Sequence, residues 1–285
     1  MTYTLELFFE PAVEWRRLQA YFEARDHFGV SGYDVLYDHP VTRATFFLEF
    51  KPSKFSFLRK TIASGEFTLN YFRPSYFGSE ADIELSAFMA AFRPRIHDPQ
   101  IHGMGDGPYS SEGFFNGWNF GNRFSVRNAL AEKSPPDIPT MPAAEIRQGW
   151  SWNYALPAQQ RRFGRRRYCP EIVFVEHEKK FRTATIWPQG MPVILPKVDF
   201  VFIGRYVSGE QGLGLASWPE TLDILQRTGF DTGKVPIEVE YFETPRLIRD
   251  WVAEAPAFDP TTLGQCPSYA IIDTEIIDAI GAPLE

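Results

Sequence analysis

A proline-rich segment near the middle of the chain limits what this sequence can fold into. Residues 134–142 hold four prolines in nine positions. Because proline fixes φ and lacks a backbone N–H, such a segment continues neither a helix nor a central strand. We therefore predict a linker over residues 134–142, between an α+β domain at 1–133 and a second α+β domain at 143–285. A chain of 285 residues is long enough for two domains.

Strand and helix patterns are interspersed along the chain. Residues 2–9 alternate between apolar and polar, as is typical of a half-buried strand. Two aromatic and β-branched runs, at 33–37 and 43–50, are separated by turn-forming residues and predict a hairpin. Residues 75–92 place apolar side chains at three- and four-residue steps, which predicts a helix that ends before Pro94. Hairpin-like pairs favour mixed or mainly antiparallel sheets with packed helices over a parallel doubly wound sheet.

The same reasoning predicts a helix at 111–130, with Ser110 or Ser111 as its N-cap residue. The apolar tail at 269–280 is compatible with either a strand or a packed helix. Further strands and helices are expected in the second half, at 171–175, 181–187, 198–206 and 237–242 for strands and at 218–228 and 246–254 for helices.

Charge and cysteine usage restrict the classes of function. The chain has 29 basic and 36 acidic residues, a net charge of −7, which argues against a whole-surface nucleic-acid binder. Cys169 and Cys266 lie outside any CxxC or Cys/His spacing, so a reducing compartment is the default expectation. No apolar run approaches the roughly 20 residues of a membrane span, and the N-terminus lacks a signal-peptide pattern. We expect a cytoplasmic protein that does not bind membranes.

One cluster of the sequence offers metal-type ligands. His97, Asp98 and His102 are followed by Asp106 within a short polar segment. Two imidazoles and a carboxylate suit a divalent metal that activates water, so a metal-dependent hydrolase is an alternative function. The spacing matches no familiar metal motif, and polar residues of this kind often satisfy backbone groups in turns. We predict such a turn, and we expect neither a metal nor another cofactor.

A run of arginines provides a second unusual feature. Residues 161–167 contain five guanidinium groups around one phenylalanine. A solvated loop or an internal charge partner is the first expectation for a basic run on an acidic chain. A protein partner is the second, which makes Arg165, Arg166 and Arg167 candidate partner-binding residues. Nucleic acid is the third, because arginine contacts phosphate and stacks on bases, and a nucleic-acid or small-ligand binding regulator is therefore a further alternative.

Three short stretches carry a resemblance to a known group of proteins. They are Asn-Tyr-Phe-Arg-Pro-Ser-Tyr-Phe at 70–77, Asp-Pro-Gln at 98–100 and Trp-Asn-Phe-Gly-Asn at 118–122. They resemble immunity proteins of bacterial polymorphic-toxin and contact-dependent competition systems, including Sit-type immunity proteins of myxobacteria and relatives encoded beside type VI secretion effectors. The resemblance covers mainly residues 1–130. It implies a protein that binds a cognate toxin stoichiometrically and has no catalytic residues.

An inhibitor of this kind needs a tight interface. Most of the affinity of such an interface comes from a few desolvated aromatic and arginine side chains. Tyr71, Arg73, Tyr76 and Trp118 are candidate partner-binding residues on this ground, and core packing is the alternative for each tyrosine and tryptophan. We predict a non-enzymatic immunity protein. The sequence leaves open the identity of the toxin and the oligomeric state.

Overall fold

The computed structural model describes residues 1–53, 60–100, 102–188, 191–207, 210–258, 264–265 and 267–280. The chain divides into one unit formed by Met1–Ile138 and Tyr269–Glu285 and another formed by Pro139–Ser268. The division falls within the proline-rich segment 134–142. It differs from the predicted domains at the C-terminal end, because the tail groups with the first unit. The tail's apolar pattern indicated burial but carried no information about which unit buries it.

An antiparallel sheet of seven strands organises the first unit. The strands are β1 (Thr2–Glu14), β2 (Phe28–Ser31), β3 (Asp34–Asp38), β4 (Thr45–Pro52), β5 (Thr61–Asn70), β6 (Arg95–His97) and β7 (Asp106–Gly107). Their order in the sheet is β2-β3-β4-β5-β1-β6-β7. The predicted hairpin corresponds to β3 and β4, and the predicted strand at 2–9 extends further, through Pro11 to Glu14.

Three helices pack on one face of this sheet, namely α1 (Trp15–Glu23), α2 (Tyr76–Phe92) and α3 (Ser111–Leu130). Each contributes an aromatic ring to the core, since Phe22 and Phe88 contact Phe50 of β4, and Phe114 contacts Phe67 of β5. Side chains of a strand point alternately to its two faces. Every second residue of a strand therefore points towards the helices, and the remaining strand residues point to the opposite face of the sheet.

The second unit begins with a short strand, β8 (Thr140–Met141), and a long helix, α4 (Ala143–Phe163). The sequence analysis predicted no helix here. The buried residues of α4 are Ile146, Gly149 and Asn153, so its inner face gives little apolar signal, and Pro157 lies inside the helix.

The following elements are β9 (Val173–His177), β10 (Lys180–Trp187), β11 (Val193–Leu195), β12 (Phe200–Val207), β13 (Glu210–Ser217), α5 (Trp218–Arg227), β14 (Ile237–Val239), α6 (Arg246–Glu254), β15 (Ala257–Phe258) and β16 (Gly264–Gln265). Six of the strands form a sheet in the order β15-β13-β12-β10-β9-β16, with β10 and β12 parallel and the other pairs antiparallel. Two short strands, β11 and β14, pair separately.

The tail contains a short strand, β17 (Ile272–Asp273), and a helix, α7 (Thr274–Ile280), which packs against α3. Helices and mostly antiparallel sheets confirm the predicted α+β class. Cys169 is buried and free, and Cys266 lies outside the described residues. None of the helices in the described ranges is both long enough and apolar enough to cross a membrane.

Candidate protein-binding surface

A single buried carboxylate organises the turn that follows β6. Oδ2 of Asp98 accepts hydrogen bonds from Tyr3 Oη at 2.6 Å and from the Met104 N–H at 2.9 Å. Oδ1 accepts from the Gln100 N–H at 3.0 Å, and the Asp98 N–H donates to the carbonyl oxygen of Gly105. Protein donors therefore occupy three of the roughly four acceptor positions of this carboxylate.

The electrostatics of this turn keep its tyrosines protonated. Burial, followed by the hydrogen bond to Asp98, raises the pKa of Tyr3. The hydroxyl therefore stays protonated and donates a hydrogen bond to the carboxylate. Burial and the nearby charge of Asp98 also raise the pKa of Tyr71 to about 12. Both tyrosine hydroxyls thus stay protonated at neutral pH, and that of Tyr3 donates a hydrogen bond to Asp98.

The two histidines of the predicted metal cluster contact different neighbours. His97 Nδ1 lies 2.9 Å from Asp106 Oδ1 at the surface. The ring of His102 packs against Phe120, with 4.0 Å between ring centres. Among the residues that the structure describes, no three His, Cys, Asp or Glu side chains are grouped so that they could hold a metal ion. Of the predicted cluster, the structure brings His97 and Asp106 together, and no third metal-type ligand joins them among the described residues.

The loop between β5 and α2 is held by Asn122 of α3. Its Oδ1 accepts from the N–H groups of Phe72 and Arg73 at 2.7 and 3.1 Å, and its Nδ2 donates to the Arg73 carbonyl at 2.8 Å. Phe72 has a φ of 61°, in the left-handed region, which the clamp by Asn122 stabilises. The Arg73 guanidinium lies 5.7 Å from the ring centre of Phe77 and 5.8 Å from that of Tyr269. Arg73 is therefore half-buried between aromatic rings of its own unit.

Two of the predicted contact residues lie in the core. The buried Tyr76 hydroxyl donates a hydrogen bond to the Thr42 carbonyl oxygen at 2.7 Å. Trp118 is 0% exposed and packs so closely on Gly78 that a Cβ there would lie 2.8 Å from the indole. Neither side chain is accessible to a partner in this conformation, because both point from their helices into the core. The prediction for Tyr76 and Trp118 is thus corrected to core packing, whereas Tyr71 is half-buried.

The arginine run divides between internal ion pairs and exposed charges. Arg167 binds two glutamates of its own unit, Glu238 at 2.8 Å and Glu240. Arg165 and Arg166 follow the end of α4 in a turn, where both are exposed. Neither forms an ion pair with any residue in the described part of the chain. Of the three candidates, two are free to contact a partner and one is occupied within the chain.

The face of the first unit's sheet that is opposite the helices carries a line of carboxylates, which we call the acidic row. Glu6 of β1 lies directly opposite Glu66 of β5, Glu66 lies opposite Glu49 of β4, and Glu49 lies opposite Asp34 of β3. Residues paired in register share a face, and in each strand the adjacent residues on the other face are buried.

The acidic row is poorly neutralised. Lys51 Nζ is 3.9 Å from Glu66 Oε2, with both side chains partly exposed. Across the described ranges, the carboxylates of Glu6, Asp34 and Glu49 form neither an ion pair nor a hydrogen bond. Like charges placed directly opposite each other on adjacent strands destabilise a sheet by up to about 1 kcal/mol per pair. The three adjacent pairs thus lower the stability of the folded unit.

Apolar side chains lie beside the acidic row on the same face. Leu36 of β3 and Phe47 of β4 are cross-strand partners and are 36% and 48% exposed. On the other side of the row, the Arg95 guanidinium covers the half-buried ring of Phe8 at 4.8 Å. Exposed apolar groups rimmed by polar ones are one mark of a surface that binds another protein.

Sequence reasoning missed this surface. Its members are distant in the sequence, and only the pairing register of the strands brings them into one line. The available signal was the alternation within each strand, which marks every second residue as facing away from the core.

Comparisons with protein-family models, with curated proteins and with solved structures found no match. The resemblance to immunity proteins therefore stays a prediction.

Proposed function

We propose that this chain is a non-catalytic immunity protein that neutralises a cognate secreted toxin by direct protein–protein contact in the cytoplasm. The observation that carries the proposal is the open face of the first unit's sheet, where the acidic row lies beside the exposed Leu36 and Phe47. Such a face suits the recognition of a macromolecule better than that of a small molecule, since it is broad and presents side chains from several strands. The resemblance of residues 70–77, 98–100 and 118–122 to immunity proteins supports the same function.

The polar residues considered for a hydrolase have partners within the fold. The oxygens of Asp98 accept hydrogen bonds from three protein donors, so this carboxylate stabilises the turn in which it lies. His97 lies beside Asp106, whereas His102 packs against Phe120. In the part of the chain that the structure describes, the residues proposed for the hydrolase therefore have structural partners.

Four of the residues predicted from the sequence stay in the proposal as contact candidates. Tyr71 and Arg73 are half-buried on the loop held by Asn122, and Arg165 and Arg166 are exposed after α4. Arginine and tyrosine are enriched among the residues that dominate binding energy at interfaces. Tyr71 and Arg73 belong to the first unit and Arg165 and Arg166 to the second, and each pair is a contact candidate on its own unit.

The proposal is tested with the product of the neighbouring reading frame. Expressed alone, that protein should be toxic to the cell, and co-expression with the present chain should restore growth and yield a stoichiometric complex on gel filtration. A His97→Ala, His102→Ala double variant serves as the control and should protect as well as the unaltered chain. Growth restored without a complex, or protection lost in a histidine variant that is stable and still forms the complex, would contradict the proposal and favour an enzyme. Stoichiometric, tightly bound zinc or manganese in the purified protein would do the same.

A further inference from the structure

The acidic row keeps like charges together on one sheet face, where Asp34 and Glu49 are exposed and Glu6 and Glu66 are half-buried. Glu6, Asp34 and Glu49 find no counter-ion among the described residues, although neighbours across the strands are close enough to repel one another. Local arrangements that lower stability without a compensating contact in the fold are expected at functional sites. Neutralisation by a partner would relieve this repulsion.

We propose that the open face of the first unit's sheet docks a basic surface of a protein partner. The acidic row would face lysine and arginine side chains of that partner, and Leu36 with Phe47 would contact an apolar patch beside them. This inference rests on the proposed function, because it specifies the chemistry of the protein that the chain binds. It concerns residues that the sequence analysis did not select.

The length of the row favours a protein over a small cation. Four carboxylates on four neighbouring strands extend over about 15 Å, since strands lie roughly 4.8 Å apart. A single metal ion contacts ligands only within about 2.6 Å and cannot bridge such a line. A series of basic side chains on one element of a partner protein can match it.

The same charges argue against a second copy of this chain on this face. A two-fold symmetric dimer places the same patch of both subunits against itself. Here it would bring the acidic row of one copy close to that of the other, and the repulsion would oppose association. A basic partner is attracted instead, and such attraction accelerates association and weakens as salt screens the charges.

The inference is tested with variants that change charge at chosen places. The row variant, Glu6→Gln with Glu49→Gln, removes two charges from the face. The control variant, Glu132→Gln with Asp137→Asn, removes two exposed charges outside it. Both variants have a net charge of −7 + 2 = −5. A second row variant, Asp34→Asn with Glu49→Gln, replaces the first if that one does not fold.

Cytochrome c, a small basic protein, serves as a probe that does not depend on the identity of the toxin. At low ionic strength we expect its association rate with the row variant to fall about tenfold, against less than about twofold for the control variant. We also expect the melting temperature of the row variant to rise, because repulsion within the sheet is removed. Equal effects in the two variants would show that only net charge matters, and would overturn the docking surface.

The product of the neighbouring reading frame separates this inference from the proposed function. If it binds the unaltered chain and the row variant equally well, the docking surface is wrong and the proposed function stands. If it binds neither, the proposed function is wrong, and the cytochrome c comparison still decides the charge preference of the face. Sedimentation provides a last check, since a dimer of the unaltered chain that becomes monomeric in the row variant would identify a second copy as the occupant and overturn the inference.

Discussion

Replacement of Asp98 with alanine tests whether this carboxylate organises the turn after β6. In the folded protein it accepts hydrogen bonds from Tyr3, Gln100 and Met104, and it is 4% exposed. A hydrogen bond to a charged group contributes roughly 1.5–3 kcal/mol. Alanine leaves three donors without their acceptor, but water can reach the two partly buried backbone N–H groups. We therefore expect the free energy of unfolding to fall by about 4 kcal/mol.

The magnitude is measured by chemical denaturation followed by circular dichroism. Tyr3→Phe removes one of these hydrogen bonds to the charged carboxylate and should lower the free energy of unfolding by about 2 kcal/mol. Combined with Asp98→Ala, it should add less than it does alone, because its hydrogen-bond partner is already absent. The matched control, His97→Ala with His102→Ala, alters exposed or stacked rings of the same segment and should lower stability by less than about 1 kcal/mol.

The reasoning would be refuted by an Asp98→Ala variant that unfolds at the same denaturant concentration as the unaltered protein. A specific loss of toxin neutralisation in that stable variant would instead assign Asp98 a direct role in function. The metal-dependent hydrolase would then be the better explanation. Additivity of Tyr3→Phe and Asp98→Ala would separately contradict the hydrogen bond between the two side chains.

Two further predictions concern pH and surface charge. Burial, together with the charge of His27, lowers the pKa of His39 from 6.5 to about 4. Between pH 6.5 and 4 the unfolded chain therefore binds more protons than the folded chain, so the free energy of unfolding should fall as the pH drops through this range, by roughly 3 kcal/mol at most. His39→Asn should flatten this part of a curve of melting temperature against pH. Arg167→Ala should lower the free energy of unfolding by about 0.5–1 kcal/mol through the loss of its ion pairs, whereas Arg165→Glu with Arg166→Glu should change it by less than about 0.5 kcal/mol. Equal losses in the two arginine variants, measured by thermal denaturation, would contradict the difference in their pairing.

Much of the local structure could be read from the sequence, because the determinants are close together in the chain. The alternation at residues 2–9 predicted both a strand and its buried face, which includes Tyr3 and Leu5. Ser110 does cap α3, and its hydroxyl accepts a hydrogen bond from the Gly113 N–H. Each of these features depends on residues within one or two turns or on the two-residue repeat of a strand.

The tertiary structure alone decided which distant residues meet. Tyr3 and Asp98 are separated by 95 positions and share a hydrogen bond, and Arg167 pairs with Glu238 across 71 positions. The acidic row depends on the register of four strands, and a shift of one residue would turn its side chains to the other face. Register follows from the packing of the whole core, so a pattern within one segment does not contain it. For that reason the sequence predicted the elements of this fold, and only the structure placed the carboxylates of β1, β3, β4 and β5 in one line.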